Sequence, residues 1–156
     1  MSKQQHNARR ASATAERITR HCIAARARMI SRAISGVYDE ALRPHGLRVS
    51  QMNILVAVSH MGSASPGEIC RTLLLEKSTL SRDVDRMLER GWLEAFPGRD
   101  ARSHRLRLTR KGGKLLAEAA PAWRRAQRRA RAMLGDDGVA AITRIAETFQ
   151  SRTASS

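Results

Sequence analysis

Apolar positions in the N-terminal third step by three or four residues. Ile18, Cys22, Ala25, Met29, Ala33, Val37 and Ala41 form one row, the spacing of a helix face. A second row, Ile23, Ile30, Ile34, Tyr38 and Leu42, widens the stripe beyond what a surface helix needs, which predicts a helix from Glu16 that buries two faces. The preceding MSKQQHNARRASATA has no such period and reads as a flexible basic arm over residues 1–15. Pro44, His45 and Gly46 then break the helix.

Ser50 is the expected cap of a second helix, with Met52, Ile54, Leu55, Val58 and Met61 inward and Gly62 at its end. Ser65-Pro66-Gly67-Glu68 combines an N-cap serine, proline at the first helical position and glutamate three residues after the cap, a capping-box signature. It opens a short helix with Ile69, Leu73 and Leu74 inward. In LLEKSTLSRDVDRMLERG, Leu80, Val84, Met87 and Leu88 form a helical stripe ended by Gly91, opposite Lys77, Ser78, Ser81, Arg82, Asp85 and Arg86.

After Gly91 the period falls to two. Trp92–Phe96 and Arg105–Thr109 read as strands joined by a long polar loop, Pro97 to His104. Thr109 is placed to cap a second long helix running to about Met133, interrupted by Pro121 and ended by Gly135-Asp136-Asp137-Gly138. Val139–Phe149 forms a last amphipathic helix, and residues 151–156 read as a disordered tail. The expected fold is mainly α.

Charge changes this picture. The 156 residues carry a net charge of +15, and Arg supplies 25 of the 29 cations, the side chain whose planar fork suits phosphates and base edges. By segment the net charge is +7 over 1–32, zero over 33–64, −1 over 65–94, +6 over 95–114 and +3 over 115–156. The hairpin stretch GRDARSHRLRLTRKG alone holds six cations against Asp100, so a polyanionic partner is expected. Cys22 and Cys70 are far apart and without metal-ligand spacing, which argues against zinc and a disulfide-built fold. No aliphatic run approaches the roughly 20 residues of a membrane span, and a cytoplasmic location is expected. No nucleophile–base pair, metal cluster or phosphate-cradling glycine loop is present, so no catalytic residue, metal or cofactor is assigned and an enzyme is not expected.

Helix, short helix, turn, helix and a cationic hairpin is the order of a winged helix-turn-helix. Such a helix fits the major groove, and a narrow Arg-bearing loop can enter the adjacent minor groove, where the potential is most negative. At SPGEI, EKSTLSRDVDRMLERGWL and Asp100-x-Arg102-x-x-x-Leu106-x-Leu108-Thr109-x-x-Gly112, the chain resembles the MarR family of bacterial transcription regulators over about residues 16–150. The resemblance implies a winged helix-turn-helix with long dimerisation helices at both termini: a DNA-binding lobe over 49–109 and a dimerisation region over 16–48 and 110–150.

Position by position, it implies that Ser78, Thr79, Ser81 and Arg82 face the major groove with Lys77 near a phosphate. Arg102 is the minor-groove wing residue and Asp100 its support. Arg86, on the same helix face, and Arg99, in the same loop, complete the candidate DNA-binding set. The Arg124–Arg131 run falls on a dimerisation helix and reads as a solvated or acid-paired face. The resemblance further implies a homodimer on a pseudo-palindromic double-stranded operator, repressing transcription until a small aromatic or anionic effector binds; His21, Arg26, His60, Met61 and Trp123 are the candidate effector residues. Two alternatives stay open: a ligand-independent architectural DNA binder, suggested by the charge and the basic arm, and a cysteine-based redox sensor using Cys22. Against the latter, the reactive cysteine of the family's peroxide-sensing branch would fall near Ala24, and its accompanying tyrosines are missing.

Overall fold

The computed structural model describes residues 3–98 and 104–154. Its elements are α1 (Lys3–His21), α2 (Ile23–Leu42), a 3-10 turn (Arg43–His45), α3 (Val49–Met61), α4 (Pro66–Leu73), α5 (Lys77–Glu89), β1 (Leu93–Pro97), β2 (His104–Leu108) and α6 (Arg110–Ala154). The chain forms two compact units, Met1–Gly36 and Val37–Ser156.

In the first unit the structure departs from the expected arm, because α1 is helical from Lys3. Its residues are rich in alanine, arginine and glutamine, strong helix formers, so local propensity suffices where no burial pattern exists. Cys22 interrupts the helix only nominally: its N–H bonds Ile18 O at 2.8 Å and its carbonyl accepts from Arg26 N at 3.2 Å. Of the stripe predicted to be buried on two faces, the part in this unit stays largely open in the single chain, with Ile18 57%, Ile23 82%, Met29 71% and Ile30 44% exposed and Ile34 half-buried.

The second unit holds the core. Leu42, Ile54, Leu55, Ile69, Leu80, Met87, Leu93 and Leu106 are fully buried, with Trp92, Ala119 and Ala122 in the same cluster. The predicted inward faces of α3 and α5 are thus the core faces. Leu74 is the exception: it adopts a left-handed conformation (φ 52°) as the C-cap of α4 and is exposed. That conformation, with the Leu74 N–H bonded to Cys70 O, makes the α4–α5 turn without glycine. The α3 cap also differs: Arg48 is the N-cap, its N–H bonded to Gln51 Oε1 at 3.1 Å, and Ser50 lies inside the helix.

β1 and β2 pair antiparallel in the register Leu93↔Leu108 to Pro97↔His104. Ala64 adds a third, one-residue strand, exchanging both backbone hydrogen bonds with Leu106 at 2.9 and 2.8 Å. Gly91 makes the expected left-handed turn into β1 (φ 68°).

Thr109 caps α6 as expected, its hydroxyl accepting from Gly112 N at 3.0 Å. Pro121 does not interrupt α6; it and Ala117, whose carbonyl loses its usual donor, are both exposed, so water can serve that carbonyl. Gly135 breaks the helix as expected, with non-helical backbone (φ 67°, ψ 169°), and a further helical segment resumes directly at Asp136 rather than at Val139. Helical structure also extends to Ala154, into the predicted tail. The buried face of α6 is an alanine stripe, Ala119, Ala122, Ala126 and Ala130, which permits close helix approach. Tyr38, near the end of α2, donates its hydroxyl hydrogen to Gln127 Oε1, and burial pushes its pKa up. No helix among the described residues is long and apolar enough to cross a membrane.

Candidate nucleic-acid interface

α5 divides cleanly into two faces. Leu80, Asp83, Val84 and Met87 are buried, and Lys77, Ser78, Thr79, Ser81, Arg82 and Arg86 are all exposed. The spacing that drives the apolar side inward forces the hydroxyl and guanidinium side outward. Among the described residues none of these six side chains forms a hydrogen bond or ion pair with another residue. The N-cap is Glu76, which makes no side-chain cap hydrogen bond. Ser78 sits at the second helical position, so its hydroxyl does not serve as the cap.

Asp83 was not marked by the sequence as a site or core residue. It is buried on the inner face of α5, accepting from Gln51 Nε2 of α3 at 3.5 Å. A charged residue within a polar run offers no signal of its own; its place, three residues after Leu80 and one before Val84, was the available one. A cleft of about 560 Å³ separates the end of α4 from the start of α5, with Cys70, Arg71, Leu74, Lys77 and Ser78 among its walls. Cys70 is half-buried and packs against the core.

The hairpin's cations have divided tasks. Arg105 turns toward the lobe, with Nε on Ser63 Oγ at 3.1 Å, Nη2 on Ser63 O at 2.8 Å and Nη1 against Glu68 at 3.1 Å. Glu68 is itself held by Ser65, whose N–H and hydroxyl donate to Oε2 at 2.7 and 2.9 Å. Those bonds, the backbone one first, hold the Glu68 carboxyl below the usual carboxylate pKa. Arg107 pairs across the strands with Glu94 at 2.8 Å and stacks over Phe96, and Lys111 Nζ donates to Arg90 O at 2.7 Å. These three cations therefore brace the hairpin and its junction with α6. Arg99, Asp100 and Arg102, assigned to the wing tip, lie outside the described residues.

The candidate effector residues fall into both units. His21 and Arg26 are exposed in the first, where the Arg26 guanidinium donates to Arg20 O. His60 is exposed at the end of α3, Met61 packs against the core and Trp123 is partly exposed on α6. In the Arg124–Arg131 run, Arg129 pairs with Glu40 at 3.0 Å and Arg131 with Asp136 at 3.8 Å. Arg124, Arg125 and Arg128 are exposed.

Comparison with known proteins places this geometry. Residues 45–103, from the turn before α3 into the hairpin, match the MarR family. The HTH-type transcriptional regulator YwoH of Bacillus subtilis is 32% identical over 88 residues, 56% of this chain and 64% of that protein. The multiple antibiotic resistance protein MarR of Salmonella typhimurium is 27% identical over 85 residues, 54% of this chain and 59% of that protein. The match thus spans less than two thirds of these relatives' length. The crystal structure of the M. tuberculosis transcriptional regulator MOSR in complex with DNA is 32% identical and covers 86% of this chain and 98% of that one, with a TM-score of 0.74. A winged helix-turn-helix with these likenesses in sequence and in fold belongs to the MarR family of transcriptional regulators.

Proposed function

We propose that the protein is a homodimeric, sequence-specific DNA-binding regulator in which α5 reads the major groove. The observation that carries the reading is the outer face of α5. Two cations near its start, Lys77 and Arg82, flank the hydroxyls of Ser78, Thr79 and Ser81; all are exposed, and their side chains have no partner among the described residues. Hydroxyls and a planar guanidinium can match donor and acceptor patterns on base edges, while Lys77 and Arg86 suit phosphates. Arg102, with Asp100 as its support, is assigned to the minor groove from the family pattern alone. The solved complex of the MOSR relative with DNA supports the same reading. Dimerisation is supported by the exposed Ile18, Ile23, Met29 and Ile30 of the first unit, apolar surface that a second copy would remove from water. Repression, and its relief by a small effector, are carried over from the family.

The test is discrimination between an operator selected from random sequence and unselected DNA. Ser81→Ala with Arg82→Ala reduces the ratio of the two affinities more than it reduces binding to unselected DNA, because base contacts specify and phosphate contacts position. Equal losses on both DNAs, or a wild-type chain without preference, would overturn sequence reading by α5.

A further inference from the structure

The cationic excess of residues 1–32 is used by neither the α5 face nor the hairpin. α1 turns part of it into an ordered stripe. Arg10, Ala13, Thr14, Arg17 and His21 recur at steps of three or four residues and share one helix face. All five are exposed. The small side chains of Ala13 and Thr14 leave a shallow depression of about 390 Å³ between Arg10 and Arg17. It is followed by another of about 300 Å³ beside Arg17, Arg20 and His21. The only acid on α1, Glu16, is committed to Arg20 at 2.6 Å, and Arg10 and Arg17 have no acidic partner among the described residues. Seven residues at 1.5 Å each set these two arginines about 10 Å apart along the axis.

We propose that this stripe is a second, sequence-independent DNA contact, in which Arg10 and Arg17 each engage a phosphate of the duplex backbone and the small residues between them let the backbone approach. The proposal rests on the DNA-binding reading above and adds to it a surface outside the winged lobe. The opposite face of α1 favours DNA over a membrane. It holds Ala8, Ser12, Ala15 and Thr19, with Ile18 at its margin, whereas helices that lie in a lipid interface carry Trp, Phe or Leu there. α1 also holds no Phe, Tyr or Trp, side chains on which the unpaired bases of single-stranded RNA stack.

The experiment uses the full chain and a fluorescent 40-base-pair duplex of random sequence, titrated between about 50 and 200 mM salt. Each phosphate neutralised contributes about 0.9 to the slope of log affinity against log salt. Arg10→Gln with Arg17→Gln therefore lowers the slope by about 2 per bound chain, with helical content unchanged by circular dichroism. Arg124→Gln with Arg128→Gln removes the same charge from α6 and leaves the slope as in wild type. An unchanged slope in the α1 variant, or an equal fall in the α6 variant, overturns the proposal. So does stronger binding to anionic vesicles than to the duplex. Selectivity is read separately: a wild-type chain that prefers no sequence removes the regulator reading, while the slope still decides the role of α1.

Discussion

Gly112 lies against the backbone of Trp92 so closely that a Cβ there would stand 2.1 Å from the Trp92 carbonyl oxygen and 3.0 Å from its carbon. The same carbonyl accepts from Thr109 N at 3.2 Å. The start of α6 is thus seated directly on the chain entering β1, and the glycine of the Leu-Thr-x-x-Gly stretch is required by contact rather than by a turn. Gly112→Ala must displace backbone, and a loss of about 1 to 3 kcal/mol is expected from overpacking at a site that cannot yield. Gly113 faces only Leu108 Cδ2 at 3.8 Å, so Gly113→Ala is neutral or gains up to about 1 kcal/mol from helix propensity. Urea denaturation of both variants checks this, and equal stabilities would refute the contact.

Arg105 ties β2 to the segment between α3 and α4 with three interactions and is only 31% exposed at its side chain. Its replacement by alanine leaves Ser63 and Glu68 without their partner and costs about 1 to 2 kcal/mol. Arg107→Ala, which removes an exposed pair with Glu94, costs about 0 to 1 kcal/mol. Equal losses in denaturant titrations would show that the number of cations matters and their placement does not.

Glu68 gives the lobe an acid-sensitive point. Its folded pKa lies below the ordinary value of 4.5, chiefly through the Ser65 backbone hydrogen bond. The unfolded chain therefore takes up the proton first, and the stabilisation, fully present above 4.5, is lost as pH falls through the folded value. Thermal denaturation from pH 7 down to 3 shows a shallower acid decline for Glu68→Gln than for wild type. Parallel declines would mean that Glu68 is not a source of the pH dependence.

Ile30 is 44% exposed in a single chain, so a charge there disturbs the lobe little unless a second copy covers it. Ile30→Asp is expected to shift a wild-type dimer to monomer at micromolar concentration in sedimentation, since burying an unpaired charge costs several kcal/mol. Helical circular dichroism is retained. A wild-type chain that is already monomeric would remove the homodimer from the proposed function.

Periodicity alone determined much of this protein. The spacing of Leu80, Val84 and Met87 sets which side of α5 faces out, so Lys77, Ser78, Ser81, Arg82 and Arg86 were legible as its outer face before any coordinates. The capping box at Ser65 and the left-handed turn at Gly91 were legible for a similar reason, because each satisfies a constraint within a few residues. Helicity in residues 3–15 was missed because propensity without burial leaves no pattern to read. Tertiary structure alone decided the partners of residues that carry the same charge. Arg105, Arg107 and Lys111 look alike in sequence, yet one braces Glu68, one pairs with Glu94 and one holds the Arg90 carbonyl. The buried Asp83, the Ala64–Leu106 bridge and the contact that forbids a side chain at Gly112 are likewise meetings of residues distant in the chain. Local sequence encodes which face is apolar, but which polar group meets which follows only once packing has brought the elements together.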